Sequence, residues 1–317
     1  MKCKKCGERA VIKMPQHHLA LCRQDYIDWF IGQTTRNIKK YQLANPSDRI
    51  LVAVSGGKDS LALWDVLWRL GYKVDGMYIH LGITGTVNYS TLSQAYVEKF
   101  AAARGLSLEV VHVAERYGQN IPDLAGQSAR GRYKPCSICG QIKRHIMNAA
   151  AMSGNYDVLM TAHNLDDEAA VLYLNTMNWA VPMLARQAPR LEAHHGLPHK
   201  AKPFCRFYER ETAAYSLLQG IEYIEDECPY SAGSTLLYYK TVLNRMEAEH
   251  PGTKMQFYVQ FLQARAVLFP AAMQEADRSD LHPCPQCGQP TSREGICSFC
   301  KLVNSTNSPC FPNCDPT

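Results

Sequence analysis

The sequence lacks long hydrophobic runs, and no apolar stretch approaches the ~18 residues that a membrane-spanning helix requires. Its first residues also lack the apolar segment of a signal peptide. Neither a low-complexity tract nor an internal repeat occurs, apart from one cysteine-rich unit near each end. These absences exclude membrane-spanning and repeat proteins, and they predict a cytoplasmic protein with no membrane partner.

The composition is that of a folded protein, with 46% hydrophobic and 20% charged residues among 317. Such a chain can bury one core of about 150–200 residues with small additions. The net charge of +5 is unevenly placed, because basic residues concentrate near the start. They are Lys2, Lys4, Lys5, Arg9, Lys13, Arg36, Lys39 and Lys40. Clustered Lys and Arg suit a phosphodiester partner, but charge alone does not separate nucleic-acid binding from a solvated surface.

The chain contains thirteen cysteines, which in a reducing compartment indicate metal binding rather than a disulfide framework. Near the C-terminus, two C-x2-C pairs follow each other closely. They are Cys284 with Cys287 and Cys297 with Cys300. This spacing is typical of a structural zinc site with four thiolate ligands.

The N-terminal segment predicts a second zinc site that is less complete. Cys3, Cys6 and Cys22 supply three thiolates, and the fourth ligand is left open. The candidates for it are Asp25, His17 and His18. Asp25 fits the geometry best because it follows Cys22 by about one helical turn.

A glycine turn at residues 55–60, with the sequence S-G-G-K-D-S, separates an apolar run at 50–54 from a helical pattern at 61–67. Backbone N–H groups and a helix N-terminus in such a turn can bind phosphate oxygens. Asp59 is placed to hold Mg²⁺ against the same phosphates. The common ATPase loop would need glycine where Val52 stands and Ser or Thr at position 59. We therefore predict a nucleotide-phosphate site of another type.

Strand and helix patterns alternate from residue 49 onward, which predicts a doubly wound parallel sheet with helices on both faces. The predicted strands are 50–54, 74–80, 107–113 and 156–161. The predicted helices are 25–44, 59–70, 90–105, 137–153, 164–178, 208–219, 235–249 and 253–268. Residues 180–202 are predicted to form a long surface loop. Ligands bind at the carboxyl ends of such strands, where the segments 55–60 and 161–164 lie.

A third group of cysteines differs from the zinc-like pairs in its spacing. Cys136 and Cys139 open a predicted helix, and Cys228 lies much later in the chain. Three thiolates from distant segments suit a 4Fe–4S cluster in which one iron lacks a protein ligand. A two-cysteine redox pair and persulfide-carrying catalytic cysteines also fit this spacing. The residues alone leave these three interpretations open.

Taken together, these motifs resemble the tRNA 2-thiouridine synthetases, which are PP-loop ATP pyrophosphatases with two zinc fingers. The segments that carry the resemblance are 19–23, 55–67, 136–143, 163–170, 202–204, 227–229 and 284–300. It implies an α/β domain of the adenine nucleotide alpha hydrolase-like type, flanked by N- and C-terminal zinc fingers. The implied divisions are an N-terminal finger (1–25), a linker helix (26–48), a catalytic domain (49–270), a C-terminal finger (280–303) and a tail (304–317).

The resemblance also implies roles for individual residues. It makes Asp59, Lys143 and Asp167 catalytic, and it makes Cys136, Cys139 and Cys228 the cluster ligands. The implied nucleotide contacts are Ala53, Val54, Ser55, Gly56, Gly57, Lys58, Asp59, Ser60, Ile79, Ala162 and Asp167. The implied zinc ligands are Cys3, Cys6, Cys22 and Asp25 at one end, and Cys284, Cys287, Cys297 and Cys300 at the other. Asp25 departs from the pattern, since the resembling enzymes usually carry histidine there.

The activity implied by the resemblance is ATP-dependent adenylation of uridine O2, followed by sulfur transfer through a 4Fe–4S cluster to give 5-methyl-2-thiouridine in the tRNA T-loop. The implied cofactors are ATP, Mg²⁺, the cluster and two Zn²⁺. The implied partners are tRNA, a ubiquitin-like sulfur carrier with a C-terminal thiocarboxylate, and a second copy of the chain in a homodimer. The alternatives are thiolation of the wobble uridine, a PP-loop ligase with a nitrogen nucleophile, and a non-catalytic zinc-knuckle RNA-binding protein.

Overall fold

The computed structural model describes residues 1–85, 87–194, 196–278, 281–292 and 294–304, and the cysteines at positions 310 and 314 lie outside them. Its strands are β1 (Ile12–Met14), β2 (Leu19–Leu21), β3 (Arg49–Val54), β4 (Lys73–His80), β5 (Leu108–His112), β6 (Val158–Met160), β7 (Arg190–Leu191), β8 (His199–Ala201), β9 (His282–Pro283) and β10 (Pro290–Thr291). Six of them form a central sheet in the order β5-β4-β3-β6-β8-β7. Every neighbouring pair in it is parallel except β7 with β8.

The α-helices that connect and cover these strands complete the fold. They are α1 (Arg23–Lys40), α2 (Lys58–Arg69), α3 (Tyr89–Arg104), α4 (Val113–Tyr117), α5 (Ile121–Gln127), α6 (Ala129–Tyr133), α7 (Pro135–Ser153), α8 (Leu165–Met177), α9 (Val181–Arg186), α10 (Glu209–Gln219), α11 (Thr235–Glu249), α12 (Thr253–Leu268), α13 (Pro270–Arg278) and α14 (Ser298–Asn304). The predicted doubly wound α/β class is confirmed.

Alternate residues of the central strands enter two separate cores, because successive side chains of a strand point to opposite faces. In β3, Ile50, Val52 and Val54 belong to one core, whereas Leu51 belongs to the other. The first core also receives buried residues of α1, α2 and α3, and the second receives those of α5 and α7. The sheet is therefore buried on both faces, which explains the continuous apolar runs of its central strands β3 and β6.

The two ends of the chain pack against opposite faces of the sheet. Cys3 and Cys22 of the N-terminal segment belong to the same core as Ile50. Cys284 and Cys300 of the C-terminal segment belong to the core that contains Leu51. Each cysteine-rich unit is thus packed onto the α/β body. None of the described helices is both long and apolar enough to cross a bilayer.

The order of the strands places a crevice beside β3. The chain runs outward from β3 through β4 to β5 and then returns to β6 on the other side of β3. Connections that leave β3 and β6 therefore diverge, and ligands of doubly wound sheets bind where this happens. The segment 55–57 follows β3 and the segment 161–164 follows β6, so both lie at the crevice.

Parts of the predicted layout are wrong. Residues 180–202 are not a loop, since they contain α9, β7 and β8, and β8 extends the sheet by pairing with β6. The pattern missed β8 because it is three residues long and includes His199 and Lys200. The helix predicted to reach residue 44 ends at Lys40, and α4, α5, α6 and α13 were not predicted.

Candidate nucleotide and metal sites

Of the two glycines in the turn after β3, the first, Gly56, cannot be replaced without strain. Gly56 has φ +78°, a conformation that residues with a side chain rarely adopt. A Cβ at Gly56 would lie 2.6 Å from the carbonyl oxygen of Ser93. At Gly57, by contrast, the only neighbour within 4 Å of a Cβ is the Ser55 hydroxyl at 3.5 Å. Gly56 therefore shapes the turn, whereas Gly57 leaves open space above it.

Helix α2 begins with backbone donors that no side chain caps. Gly57 occupies the N-cap position, and no side-chain hydrogen bond satisfies the first N–H groups of the helix. Such groups and the positive end of the helix dipole attract anions. The turn is therefore built to bind an anion such as a phosphate group.

The two serines of the turn have different surroundings. Ser60 is buried, and its hydroxyl donates to the carbonyl of Gly57 at 3.0 Å and accepts from the N–H of Ser55 at 3.0 Å. The Ser55 side chain belongs to an exposed residue, and its oxygen lies 3.2 Å from that of Ser60. Ser60 therefore holds the turn together, and Ser55 faces the crevice.

Asp59 is held by neighbours on two other elements and by Lys58 of its own helix. Its Oδ1 accepts hydrogen bonds from the Thr212 hydroxyl of α10 and, at 3.4 Å, from the Asn164 amide after β6. Its Oδ2 forms an ion pair with Lys58 at 3.0 Å. Burial raises the pKa of this carboxyl, an effect that the Lys58 charge opposes. Sequence reasoning missed Thr212, because nothing in the pattern of α10 marks it.

Three consecutive acids open α8, and only one of them faces the crevice. Asp166 is buried and pairs with Lys254 at 2.5 Å, while Glu168 is buried and pairs with Lys202 at 2.6 Å. Asp167 has a side chain that is 28% exposed, and its Oδ2 accepts from the N–H of Asn164 in a capping box. Asp166 and Glu168 thus stabilise the fold, which leaves Asp167 available to a ligand.

Five alternately charged side chains form a chain of ion pairs across this crevice, which we call the ion-pair row. Its members in order are Asp167, Lys240, Glu209, Lys58 and Asp59. The successive N–O distances are 2.6, 3.3, 2.8 and 3.0 Å. Sequence reasoning found both ends of the row and Lys58 but missed Lys240 and Glu209, which read as ordinary helix charges.

The remaining residues implied to contact nucleotide also lie at the carboxyl edge of the sheet. Ala53 and Val54 end β3, and Ile79 is the penultimate residue of β4. Ala162 follows β6 in the segment that leads to Asn164. The fold therefore places all of them beside the turn at 55–60.

Lys143 lies on α7 near the thiols at the start of that helix. The Lys143 side chain is exposed. Burial raises the pKa of the Cys139 thiol, and the charge of Lys143 opposes this effect. Ionisation of Cys228 or Cys136 would raise the pKa of Cys139 further. Lys143 further lowers the pKa of His163, which stands in the segment after β6, although burial is the main cause. The charge of Lys143 therefore acts on both Cys139 and His163.

Direct contacts connect the Cys228 segment to the phosphate turn. The N–H of Ile224 donates to the carbonyl of Gly56 at 3.0 Å. Cys136 donates from its thiol to the carbonyl of Tyr230 at 3.2 Å, which joins the start of α7 to the chain just after Cys228. Three thiols, none of them paired in a disulfide, thus surround one end of the crevice.

These three thiols do not form a compact tetrahedral set. Among the described residues, the groups whose ligand atoms all lie within 4.8 Å of one another are the two terminal ones. A cluster with several irons separates its ligand atoms more than a single ion does. Three thiolates without a fourth protein donor are also the ligand set of a cluster with one open iron. The donor set at Cys136, Cys139 and Cys228 therefore fits such a cluster.

The N-terminal set brings one carboxylate together with three thiols. The ligand atoms of Cys3, Cys6, Cys22 and Asp25 lie within 4.8 Å of one another. Hydrogen bonds from the thiols of Cys6 and Cys3 lower the pKa of the Asp25 carboxyl. The alternative ligands are placed elsewhere: His17 lies 2.8 Å from Glu211, and His18 is exposed. The geometry can hold a tetrahedral metal ion with Asp25 as the fourth ligand.

The C-terminal set consists of four thiols. Cys284, Cys287, Cys297 and Cys300 have their sulfur atoms within 4.8 Å of one another. Gly288, which follows the first pair, has φ +70°, and the reversal there closes a knuckle in which its N–H donates to the carbonyl of Cys284 at 2.8 Å. Four thiolates in this arrangement leave no open position on a bound zinc, so such a site would be structural.

An aromatic contact docks the C-terminal set onto α7. Phe299 stacks on His145 with ring centroids 3.6 Å apart and an interplanar angle of 10°. Gln289 donates to the carbonyl of His145 at 2.9 Å. Because α7 also carries Cys136, Cys139 and Lys143, this contact supports the helix that forms one wall of the crevice.

Two protein families match the chain. The family described as "PP-loop domain" matches residues 31–233. The family described as "2-thiouridine synthetase TtuA, N-terminal LIM domain" matches residues 2–27. The first match contains the phosphate turn and all three cysteines of the crevice, and the second contains the N-terminal thiols.

Relatives match over nearly the whole chain. The "tRNA-5-methyluridine(54) 2-sulfurtransferase" of Thermus thermophilus is 45% identical, over 95% of this chain and 91% of its own. The protein of the same name in Pyrococcus horikoshii is 39% identical, over 95% and 93%. Among solved structures, the U34-tRNA thiolase NcsA from Methanococcus maripaludis with its [4Fe-4S] cluster gives a TM-score of 0.73 at 25% identity, covering 84% of this chain and 88% of that one.

Proposed function

The chain belongs to the family of PP-loop 2-thiouridine synthetases, and from this premise we propose that it transfers sulfur to carbon 2 of 5-methyluridine 54 in tRNA. It is a tRNA 2-sulfurtransferase with an ATP-binding PP-loop. The observation that carries the reaction is the junction of two sites. A phosphate turn and three thiols are joined through the bond from Ile224 to Gly56.

The first step that we propose is adenylation of the uridine. The O2 of uridine is a poor leaving group, and transfer of AMP to it makes it expellable. Backbone N–H groups at the start of α2 would bind the departing pyrophosphate, with Lys143 beside them. Asp59 and Asp167, in the first turns of the helices that follow the adjacent strands β3 and β6, offer carboxylate oxygens, the ligands that Mg²⁺ prefers. Magnesium there would offset the charge that develops on the phosphates.

The second step is sulfur transfer, for which Cys136, Cys139 and Cys228 would hold a 4Fe–4S cluster. Such a cluster would supply one iron without a protein ligand, at which a sulfur atom can be presented. Cys139 and Cys228 are half-buried and Cys136 is exposed, so this end of the crevice is partly shielded from water and still open to a sulfur donor. Because the charge of Lys143 acts on both Cys139 and His163, we propose that Lys143 serves both halves of the reaction.

The same proposal extends to cofactors and partners. Zinc suits both terminal sets, because each brings four ligand atoms within 4.8 Å. A ubiquitin-like carrier with a C-terminal thiocarboxylate would deliver sulfur, tRNA would bind through its phosphates, and two copies of the chain would form a homodimer. We place the enzyme in the cytoplasm, where unmodified tRNA is available to it.

Thiolation of the wobble uridine is the second candidate. It is favoured by one observation, the fold shared with a U34-tRNA thiolase at a TM-score of 0.73. The T-loop uridine is preferred because the relatives that are 38–45% identical are named for position 54. The two candidates differ in the nucleoside that they produce.

The experiment is to map 2-thiouridines in tRNA from cells without the gene and from cells complemented with wild type or Asp59→Asn. We expect 5-methyl-2-thiouridine at position 54 to vanish in the deletion strain and to return with wild type alone. The matched control is Asp28→Asn, which removes an exposed acid of α1 and should complement fully. Loss of thiolation at position 34 with position 54 intact would overturn the assignment in favour of the wobble uridine.

A further inference from the structure

Lys240 occupies the centre of the ion-pair row and has no role in the reaction described so far. It projects from α11, and its ammonium lies 2.6 Å from Asp167 and 3.3 Å from Glu209. The side chain is 19% exposed, so the charge is largely shielded from solvent. Ion pairs with carboxylates of two different helices, α8 and α10, hold the ammonium in place. Lys240 is therefore a fixed positive charge.

The row carries three carboxylates and two ammonium groups. Without Lys240, the carboxylates of Asp167 and Glu209 would face each other with only Lys58 nearby. Uncompensated carboxylates repel the phosphates of ATP and attract divalent cations. The charge of Lys240 therefore sets how strongly the empty site favours a metal ion over a nucleotide.

Lys240 and Mg²⁺ compete for the same oxygen atoms. Asp167 is the acid of α8 that faces the crevice, and its Oδ1 is the atom that Lys240 holds. The neighbouring pairs of α8 do not share this position, because the Asp166 and Lys254 side chains are only 5% and 4% exposed. Carboxylate oxygens fit Mg²⁺, and a metal ion that binds Oδ1 of Asp167 would compete with the ammonium for that atom.

We propose that Lys240 is a positioning residue of the nucleotide site, a built-in counter-ion that holds Asp167 and Glu209 until the magnesium–nucleotide complex arrives and then yields Asp167 to the metal. This inference rests on the proposed function only in taking ATP and Mg²⁺ as ligands of the crevice. Under this proposal, Mg²⁺ binds more tightly when ATP is bound, and ATP binds more tightly when Mg²⁺ is bound. It also connects α11, which follows the Cys228 segment, to the phosphate turn.

The test measures binding by calorimetry on the full-length protein with its metals retained, in magnesium-free buffer. The probes are Mg²⁺ alone and the non-hydrolysable α,β-methylene analogue of ATP. For Lys240→Met we expect Mg²⁺ alone to bind about tenfold more tightly and the analogue without Mg²⁺ to bind about tenfold more weakly, within the usual range of ligand coupling. Lys240→Arg keeps the charge and should restore both affinities to within about threefold of wild type.

The matched control is Lys99→Met, which removes an exposed ion pair of 2.7 Å with Glu222 and should change neither affinity. Equal affinities in wild type and Lys240→Met, or changes of the same sign for both probes, would overturn the proposal and leave Lys240 with a structural role. If Lys240→Met does not fold, Glu209→Gln tests the same idea, since removal of a carboxylate should strengthen magnesium-free binding of the analogue. The experiment measures only the binding of Mg²⁺ and of the ATP analogue. A protein that binds both but thiolates another substrate would therefore still test the role of Lys240.

Discussion

At the scale of single residues, the carboxylate of Asp59, which we propose to be catalytic, is positioned by a neighbour that the sequence does not mark. The Thr212 hydroxyl donates to Oδ1 of Asp59 and bridges from α10 to the phosphate turn. Partners of this kind fix the orientation of a metal ligand. Asp59 alone would be free to turn toward Lys58, its ion-pair partner at 3.0 Å.

We therefore expect Thr212→Val to weaken Mg²⁺-dependent nucleotide binding by about tenfold or more, the usual cost of losing such a partner. The variant keeps the shape of threonine, so the thermal midpoint should change little. Thr35→Val is the control, because its hydroxyl donates only to the Ile31 carbonyl of its own helix. Unchanged magnesium dependence in Thr212→Val would show that Asp59 is oriented without it.

A second prediction for a single residue concerns His145. Burial and the charge of Arg116 lower the pKa of His145 from 6.5 to about 4. The unfolded chain takes up a proton near pH 6.5, whereas the folded protein does so only near pH 4. Stability is therefore complete above pH 6.5 and is lost as the pH falls toward 4, by about 2 kcal/mol at pH 5. Denaturant unfolding at pH 7 and pH 5 measures this loss.

His145→Gln should remove that part of the pH dependence while it lowers stability at pH 7, since the stacking on Phe299 is also lost. The comparison uses the difference between wild type and variant, because other groups titrate in both. An equal loss of stability in the two proteins between pH 7 and pH 5 would contradict the assignment to His145.

At the scale of elements, the two glycines of the phosphate turn have different roles: Gly56 is needed for the backbone conformation, and Gly57 leaves space for a ligand. Gly56→Ala places a Cβ 2.6 Å from the Ser93 carbonyl in a strained conformation, and we expect a loss of stability of about 1–3 kcal/mol. Gly57→Ala should fold normally, because its Cβ meets only the Ser55 hydroxyl at 3.5 Å. It should still bind nucleotide poorly, since the Cβ occupies the space that a phosphate needs. Thermal unfolding and nucleotide titration of both variants separate the two effects, and equal stabilities would contradict this assignment.

The elements that the sequence predicted are those with a strong internal pattern. The central strands β3 and β6 have continuous apolar runs because helices cover both faces, whereas β4 and β5 are apolar runs interrupted by Asp75 and Glu109. The two-residue strand β7 and the three-residue β8 are too short for any pattern, and their pairing depends on contacts distant in sequence. The short helices α4, α5 and α6 were missed for the same reason.

The site divides in the same way. Asp59 could be predicted because it lies in the glycine turn that follows β3, whereas Asp167, in the first turn of α8, was indicated only by the family resemblance. Lys240 and Glu209 could not, because they come from helices that reach the crevice only through tertiary packing. Their local sequence is that of a solvated helix face, and only the distances to Asp167 and Lys58 distinguish them.

At the scale of the whole molecule, one α/β body carries three separate groups of cysteines. Two are compact sets at the ends of the chain, and the third surrounds the crevice. Compact sets of four donors suit a single zinc ion, and three spread thiols suit an iron–sulfur cluster. The groups should therefore load different metals independently.

Elemental analysis of anaerobically prepared protein tests this division. Cys6→Ser should lower the zinc content by about one ion per chain and leave iron unchanged. Cys136→Ala should remove the iron and the broad visible absorption of the cluster while zinc is retained. Cys205→Ser is the control, because this buried cysteine belongs to none of the three groups. Zinc lost from Cys136→Ala, with iron retained, would contradict the assignment.

The central claim is that the uridine oxygen leaves with AMP. The most direct measurement uses tRNA whose uridine 54 carries oxygen-18 at carbon 2, incubated with the enzyme, ATP and a sulfide source, and mass spectrometry of the AMP that is released. We predict that the AMP contains the heavy oxygen in the same amount as the 2-thiouridine formed. AMP without the label, alongside thiolated tRNA, would show that the oxygen is expelled by another route.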